Sequence, residues 1–99
     1  MKNIILIGMP GAGKSTVGVL LAKSMGYDFV DADLVIQKQQ RKKLQNIIDE
    51  RGLDGFKQAE EQALLSINDK KAIIATGGSA VFSAAGMAHL KENGICVYL

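Results

Sequence analysis

The sequence has one cysteine, one proline and no tryptophan among its 99 residues. A lone thiol, Cys96, excludes an intramolecular disulfide, and in an apolar run it packs as a small hydrophobe. With Pro10 as its single proline the chain has no Pro-rich linker, and it contains no internal repeat or low-complexity stretch. No apolar run approaches the ~18 residues of a membrane helix, and the apolar stretch after Met1 is too short for a secretory signal. The chain therefore reads as cytoplasmic, with no membrane partner. Neither sign of charge dominates: 12 basic against 10 acidic residues give a net charge of +2. That balance excludes nucleic-acid binding by bulk electrostatics. What is present is 47% hydrophobic and 22% charged residues, the composition of one globular domain.

Short continuous apolar runs at residues 4–7, 29–30, 72–75 and 95–99 alternate with helix-length segments. Such runs, rich in Ile and Val, suit strands covered on both faces. The spacing predicts a helix over 14–25, with Val17, Leu20, Leu21 and Ser24 or Met25 on one stripe and Gly26 as its stop. Within 34–51, the apolar group Leu34, Val35 and Ile36 is parted from Leu44, Ile47 and Ile48 by a polar stretch, which predicts two short helices. The lysines of that stretch read as a solvated face. A further helix is expected over 54–67, with Phe56, Ala63, Leu64 and Ile67 on one face, and a last one over 79–92. This order implies βαβ crossovers and an α/β fold: a parallel sheet between two helical layers. An apolar run at 95–99 is a poor free edge. It is expected to be covered by further sequence, leaving the sheet incomplete at its C-terminal end, or by association with another chain.

Gly8-Met9-Pro10-Gly11-Ala12-Gly13-Lys14-Ser15 matches the phosphate-loop pattern, after a strand and before a helix. Glycines let backbone amides fold around an anion, and the helix N-terminus adds a positive dipole end. Lys14 would neutralise the outer phosphates of a nucleotide and the Ser15 hydroxyl would coordinate Mg²⁺. A guanine-reading Asn-Lys-x-Asp is missing, because Asn68-Asp69-Lys70-Lys71 does not match it. Asp49-Glu50-Arg51-Gly52 lies in a helical pattern, so a GTPase is discounted. The strand at 72–75 ends in Thr76-Gly77-Gly78 with no carboxylate, so another acid must serve the metal.

Asp31-Ala32-Asp33 supplies that acid, just past the second strand where ligands of open α/β sheets bind. Both carboxylates are expected on one side, facing the phosphate loop. The plainer alternative is that Asp33 only caps the next helix and Asp31 is solvated. Glu60 falls on the apolar stripe of its helix, where a carboxylate needs a partner; Lys57, three residues earlier, is the nearest candidate. The alternative places Glu60 at the stripe's edge, in water. Gly77 and Gly78 allow a ligand close to backbone amides, a weak signal alone. His89 has no visible acid partner and is given no role.

Together these residues resemble the shikimate kinase family. Gly8 to Thr16 with Val17-Gly18 and Leu21-Ala22 is similar to that family's phosphate loop and first helix. Phe29-Val30-Asp31-Ala32-Asp33 resembles its strand and D-x-D motif, Gly52 to Glu60 its G-E-x-x-F-R-x-x-E segment, and Ala75 to Val81 its A-T-G-G-G-x-V. The resemblance runs in order over residues 1–99, with an acceptor-binding segment at about 33–61. It implies a phosphate-loop NTPase-type three-layer sandwich with strand order 2-3-1-4. It also implies ATP-dependent phosphorylation of a hydroxyl on a small carboxylated metabolite, shikimate first among them. Gly8, Gly11, Ala12, Gly13, Lys14, Ser15 and Thr16 would then hold ATP, with Ser15 and Asp31 serving Mg²⁺. Asp33 would bind the acceptor and is the candidate base; Lys57, Gly77 and Gly78 would complete the acceptor site, with Glu60 orienting Lys57. The chain departs from the pattern at Leu53, Lys57 and Ser79, where the family has glutamate, arginine and glycine. Those departures keep open a related kinase with another acceptor, and the uncovered run at 95–99 keeps open a non-catalytic nucleotide-binding domain that needs a second chain.

Overall fold

The computed structural model describes residues 2–8 and 13–99. Its strands are β1 (Asn3–Ile7), β2 (Asp28–Asp31), β3 (Ala72–Ala75) and β4 (Gly94–Tyr98), all parallel and in the order β2-β3-β1-β4. Four helices connect them: α1 (Lys14–Met25), α2 (Ala32–Gln40), α3 (Leu44–Ser66) and α4 (Ala84–Glu92), with a 3₁₀ turn at Ala80–Phe82. The fold class and strand order follow the sequence reading. Parallel register aligns Leu6, Ala75 and Asp31 in one row. The segments that follow these three residues therefore leave the sheet side by side.

Alternate residues of the strands build the two outer layers. Leu6, Ile73 and Ala22 are buried on the α1 face, and Ile5, Ile74, Leu64, Met87 and Leu90 on the face covered by α3 and α4. The predicted stripe of α1 needs correction, because Leu20 is 62% exposed and Met25 is exposed, while Gly18 and Ala22 are buried. Small residues bring the helix onto the sheet: a Cβ on Gly18 would stand 2.5 Å from the Phe29 ring.

Residues 34–51 do form two helical segments, but the second continues into α3 across Gly52. The φ of 71° at Gly52 is left-handed, and a kink there joins the segment at 44–51 to the one beginning near residue 53. Ile36, Ile47, Ala59 and Ala63 pack α2 against α3 in a small core of their own. The last helix starts later than residue 79. Ser83 caps α4 by accepting the Gly86 N–H at 3.1 Å, so 80–82 becomes a separate turn. Residues 38, 42 and 43 are solvent-exposed lysines, as expected. At the free edge, Ile95 and Tyr98 are 55% and 69% exposed, while Cys96 packs against the core.

Asn3 locks the opposite end of the sheet. Its buried amide donates to the Asp69 carbonyl at 2.7 Å and accepts the Ala72 N–H at 2.8 Å. Replacing it leaves the buried Ala72 N–H without its acceptor. Asn3→Ala is expected to lower unfolding free energy by about 1–3 kcal/mol, read from urea denaturation; a change within experimental error would contradict this clamp.

Candidate functional site

A cavity of about 320 Å³ opens at the carboxyl edge of the sheet, walled by residues 13–16, Asp31, Asp33 and residues 75–78. The structure thus brings Gly13, Lys14, Ser15, Thr16, Asp31, Asp33, Gly77 and Gly78 together. Gly11 and Ala12 lie outside the described residues. At the start of α1, Gly13 is left-handed and no side chain of the described residues caps the helix, an N-terminus suited to an anion. The Lys14 ammonium reaches back to the Gly8 carbonyl at 2.7 Å, tying the two ends of the loop.

The acidic pair divides its work differently from the expected alternative. Asp31, not Asp33, caps α2: its Oδ1 accepts the Asp33 N–H at 2.9 Å and the Leu34 N–H at 3.4 Å. The helix begins at Ala32, so Asp33 sits in its first turn with its carboxylate in the cavity. Burial raises the Asp33 pKa above the usual carboxylate value; the Asp31 charge raises it further and Lys14 opposes both.

Beside this cavity, and sharing Asp33, Gly77 and Gly78 with it, lies a cleft of about 450 Å³ lined also by Leu44, Phe56, Glu60, Ser79 and Phe82. Gly77 is the contact point of two carboxylates. A Cβ there would meet Asp33 Oδ1 at 2.8 Å and Glu60 Oε2 at 3.3 Å. Glu60 is only 2% exposed, so the solvated alternative is excluded. Its partner is not Lys57: the Ser79 hydroxyl donates to Glu60 Oε1 at 2.9 Å and Oε2 at 3.0 Å. No ion pair joins Glu60 to Lys57, which is exposed and lines a smaller cavity with Glu60, Ser79 and Phe82. Burial raises the Glu60 pKa, Ser79's hydrogen bond lowers it, the Asp33 charge raises it and Lys57 lowers it.

Two features escaped the sequence reading. Thr76 is buried and bonds the Leu6 carbonyl through both its hydroxyl (2.9 Å) and its N–H (3.1 Å), fixing the Gly77 loop beside the phosphate loop. His89 contacts the Ile67 carbonyl through Nε2 at 2.9 Å, fastening α4 to the end of α3. Among the described residues no cluster of three or more His, Cys, Asp or Glu could hold a metal. One hydroxyl, from Ser15, and one carboxylate, from Asp31, suit a hard cation that arrives with phosphates and keeps its waters.

The shikimate kinase family model matches residues 10–99. Shikimate kinase 2 of Yersinia pseudotuberculosis is 39% identical over 98 residues, covering 99% of this chain and 56% of that protein. Shikimate kinase from Acinetobacter baumannii, solved in complex with shikimate, superposes with a TM-score of 0.92 at 39% identity, over 100% of this chain and 56% of that one. The enzyme from Aquifex aeolicus gives 0.89 at 31% identity, over 98% and 58%. The chain thus spans about half the length of these relatives.

The charges around Asp33 make its titration a test of the site. Asp31→Asn keeps a helix cap but removes a negative neighbour, so it is expected to lower the Asp33 pKa. Lys14→Ala removes the opposing cation and is expected to raise it. Carboxyl carbon shifts followed by NMR across a pH series check both directions, and an Asp33 titration indifferent to both changes contradicts the arrangement.

Proposed function

The chain belongs to the shikimate kinase family, and from that premise we propose that it transfers the γ-phosphoryl group of ATP to a hydroxyl of a small carboxylated metabolite, with shikimate as the acceptor. The observation that carries this reading is the single cavity in which the start of α1, the Asp31–Asp33 pair and the Gly77 loop converge. ATP phosphates lie on the first-turn amides, with Lys14 neutralising their charge and Gly8, Gly11, Ala12, Gly13 and Thr16 shaping the cradle. Ser15 and Asp31 would hold Mg²⁺, which would supply charge neutralisation on the phosphates.

The acceptor occupies the adjoining cleft. Its ring packs between Leu44, Phe56 and Phe82, and its hydroxyl hydrogen-bonds Asp33. As the hydroxyl oxygen bonds to the γ-phosphorus, the bond from that phosphorus to the bridging oxygen breaks. ADP leaves, and the hydroxyl proton passes to Asp33. A raised pKa suits Asp33 to receive that proton. The amides of Gly77 and Gly78 face the acceptor, and the Lys57 ammonium meets its carboxylate as a point charge, without the two-pronged geometry of arginine. Leu53, Lys57 and Ser79, which differ from the family pattern, support a second reading, a related cytoplasmic metabolite kinase with another acceptor. The exposed edge at 95–99 supports association through β4.

Steady-state assays on the longest natural form of the chain, with Mg²⁺-ATP and a panel of hydroxylated carboxylic acids, test the proposal. Shikimate is expected to give the highest kcat/KM. Lys14→Ala is expected to weaken ATP binding at least tenfold in calorimetry, and Asp33→Asn to lower kcat by about 10²-fold or more with ATP affinity nearly intact. A different preferred acceptor favours the second reading; ATP binding indifferent to Lys14 overturns the site.

A further inference from the structure

Ser79 stands where the family pattern has glycine, and its hydroxyl is the hydrogen-bond donor on a carboxylate that is 2% exposed. One helical turn before that carboxylate is Lys57, at the spacing where lysine and glutamate ordinarily pair. They do not pair here. The hydroxyl reaches both Glu60 oxygens, at 2.9 and 3.0 Å, from the turn after β3, while Lys57 is solvent-exposed. Asp33 on α2 and Lys57 on α3 are the charged groups acting on Glu60, and Gly77 lies close enough that a Cβ there would stand 3.3 Å from Glu60 Oε2. All three polar groups, Lys57, Glu60 and Ser79, border one small cavity next to the acceptor cleft.

We propose that Ser79 is a positioning residue: by holding both oxygens of Glu60 it keeps this carboxylate from capturing the Lys57 ammonium, and so leaves the ammonium to the anionic group of the acceptor. The inference rests on the acceptor reading above. A lysine is a point charge on a flexible stem and follows whichever anion is nearest and least satisfied. A Glu60 carboxylate without the serine hydroxyl is buried with no donor, which is costly. Turning toward Lys57 relieves that cost, and the acceptor must then compete with an internal carboxylate for its cation. At this position a glycine supplies no hydroxyl, so the serine matches the presence of lysine at residue 57: it satisfies the glutamate without spending the cation.

The test is a cycle in the longest natural form of the chain. Ser79→Ala is expected to raise the acceptor KM about fivefold, with kcat and the ATP KM near the parent's. Ser79→Thr keeps a hydroxyl and is expected to keep the parent KM. In Ser79→Ala/Glu60→Gln the competing charge is gone, and the acceptor KM is expected to return to near the parent's. An unchanged KM in Ser79→Ala, or no recovery in the double variant, overturns the proposal; so does a loss of kcat and ATP affinity together, which marks a purely structural role. A second readout is independent of turnover: the Lys57 side-chain chemical shifts are expected to move in Ser79→Ala relative to the parent and to return in the double variant. Should no carboxylated acceptor be phosphorylated by the parent, the acceptor reading fails while these chemical shifts still decide the Ser79 role, unmoved Lys57 resonances overturning it.

Discussion

At the end of β1 the Leu6 carbonyl accepts both the N–H and the hydroxyl of Thr76, and this pair of bonds joins the strand that feeds the phosphate loop to the strand that feeds the Gly77 loop. Parallel pairing makes this possible, because only parallel neighbours deliver their carboxyl ends to the same edge. With β2 on the other side of β3, Asp31 and Asp33 arrive at that edge too. Under the proposed function, phosphates, cation and acceptor fall to three adjacent segments, each anchored to a strand of the sheet. Positioning of this kind is what phosphoryl transfer most requires from a protein.

The arrangement has a thermodynamic cost. Asp33 and Glu60 press on Gly77 from the same side, and burial raises the pKa of both. A carboxyl whose folded pKa lies above its unfolded value is destabilising once pH exceeds the folded value, and that penalty fades as pH falls through the folded value toward the unfolded one. These two groups therefore weaken the fold at neutral pH. Retaining like charges in close quarters is common where function depends on them. Their strain is offset by the apolar sheet, whose Ile5, Leu6, Ile73 and Ile74 are fully buried.

Much of this was legible in the chain itself. Continuous apolar runs marked all four strands, and the Gly-Lys-Ser turn after the first of them marked the cradle, because both signals are local. Gly26 likewise ended its helix, in a left-handed conformation. What could not be read is set by contacts between distant segments. The choice of Gly18 and Ala22 over Leu20 as the buried face of α1 depends on Phe29 and Leu6 lying close against the helix. Which aspartate caps α2 depends on how far β2 stays paired with β3, a matter of two residues. The partner of Glu60 was sought within its own helix, at Lys57, whereas Ser79 reaches it from 19 residues away.

The central claim is that Asp33 faces the acceptor hydroxyl across Gly77 while Lys14 and Ser15 face the phosphates. A crystal structure of the longest natural chain with ADP, Mg²⁺ and shikimate tests it most directly. The account predicts a shikimate hydroxyl within about 2.6–3.2 Å of an Asp33 oxygen and pointing toward the β-phosphate of ADP. An acceptor bound with its hydroxyls turned away from Asp33, or ADP phosphates lying off the amides of the first turn of α1, would contradict it.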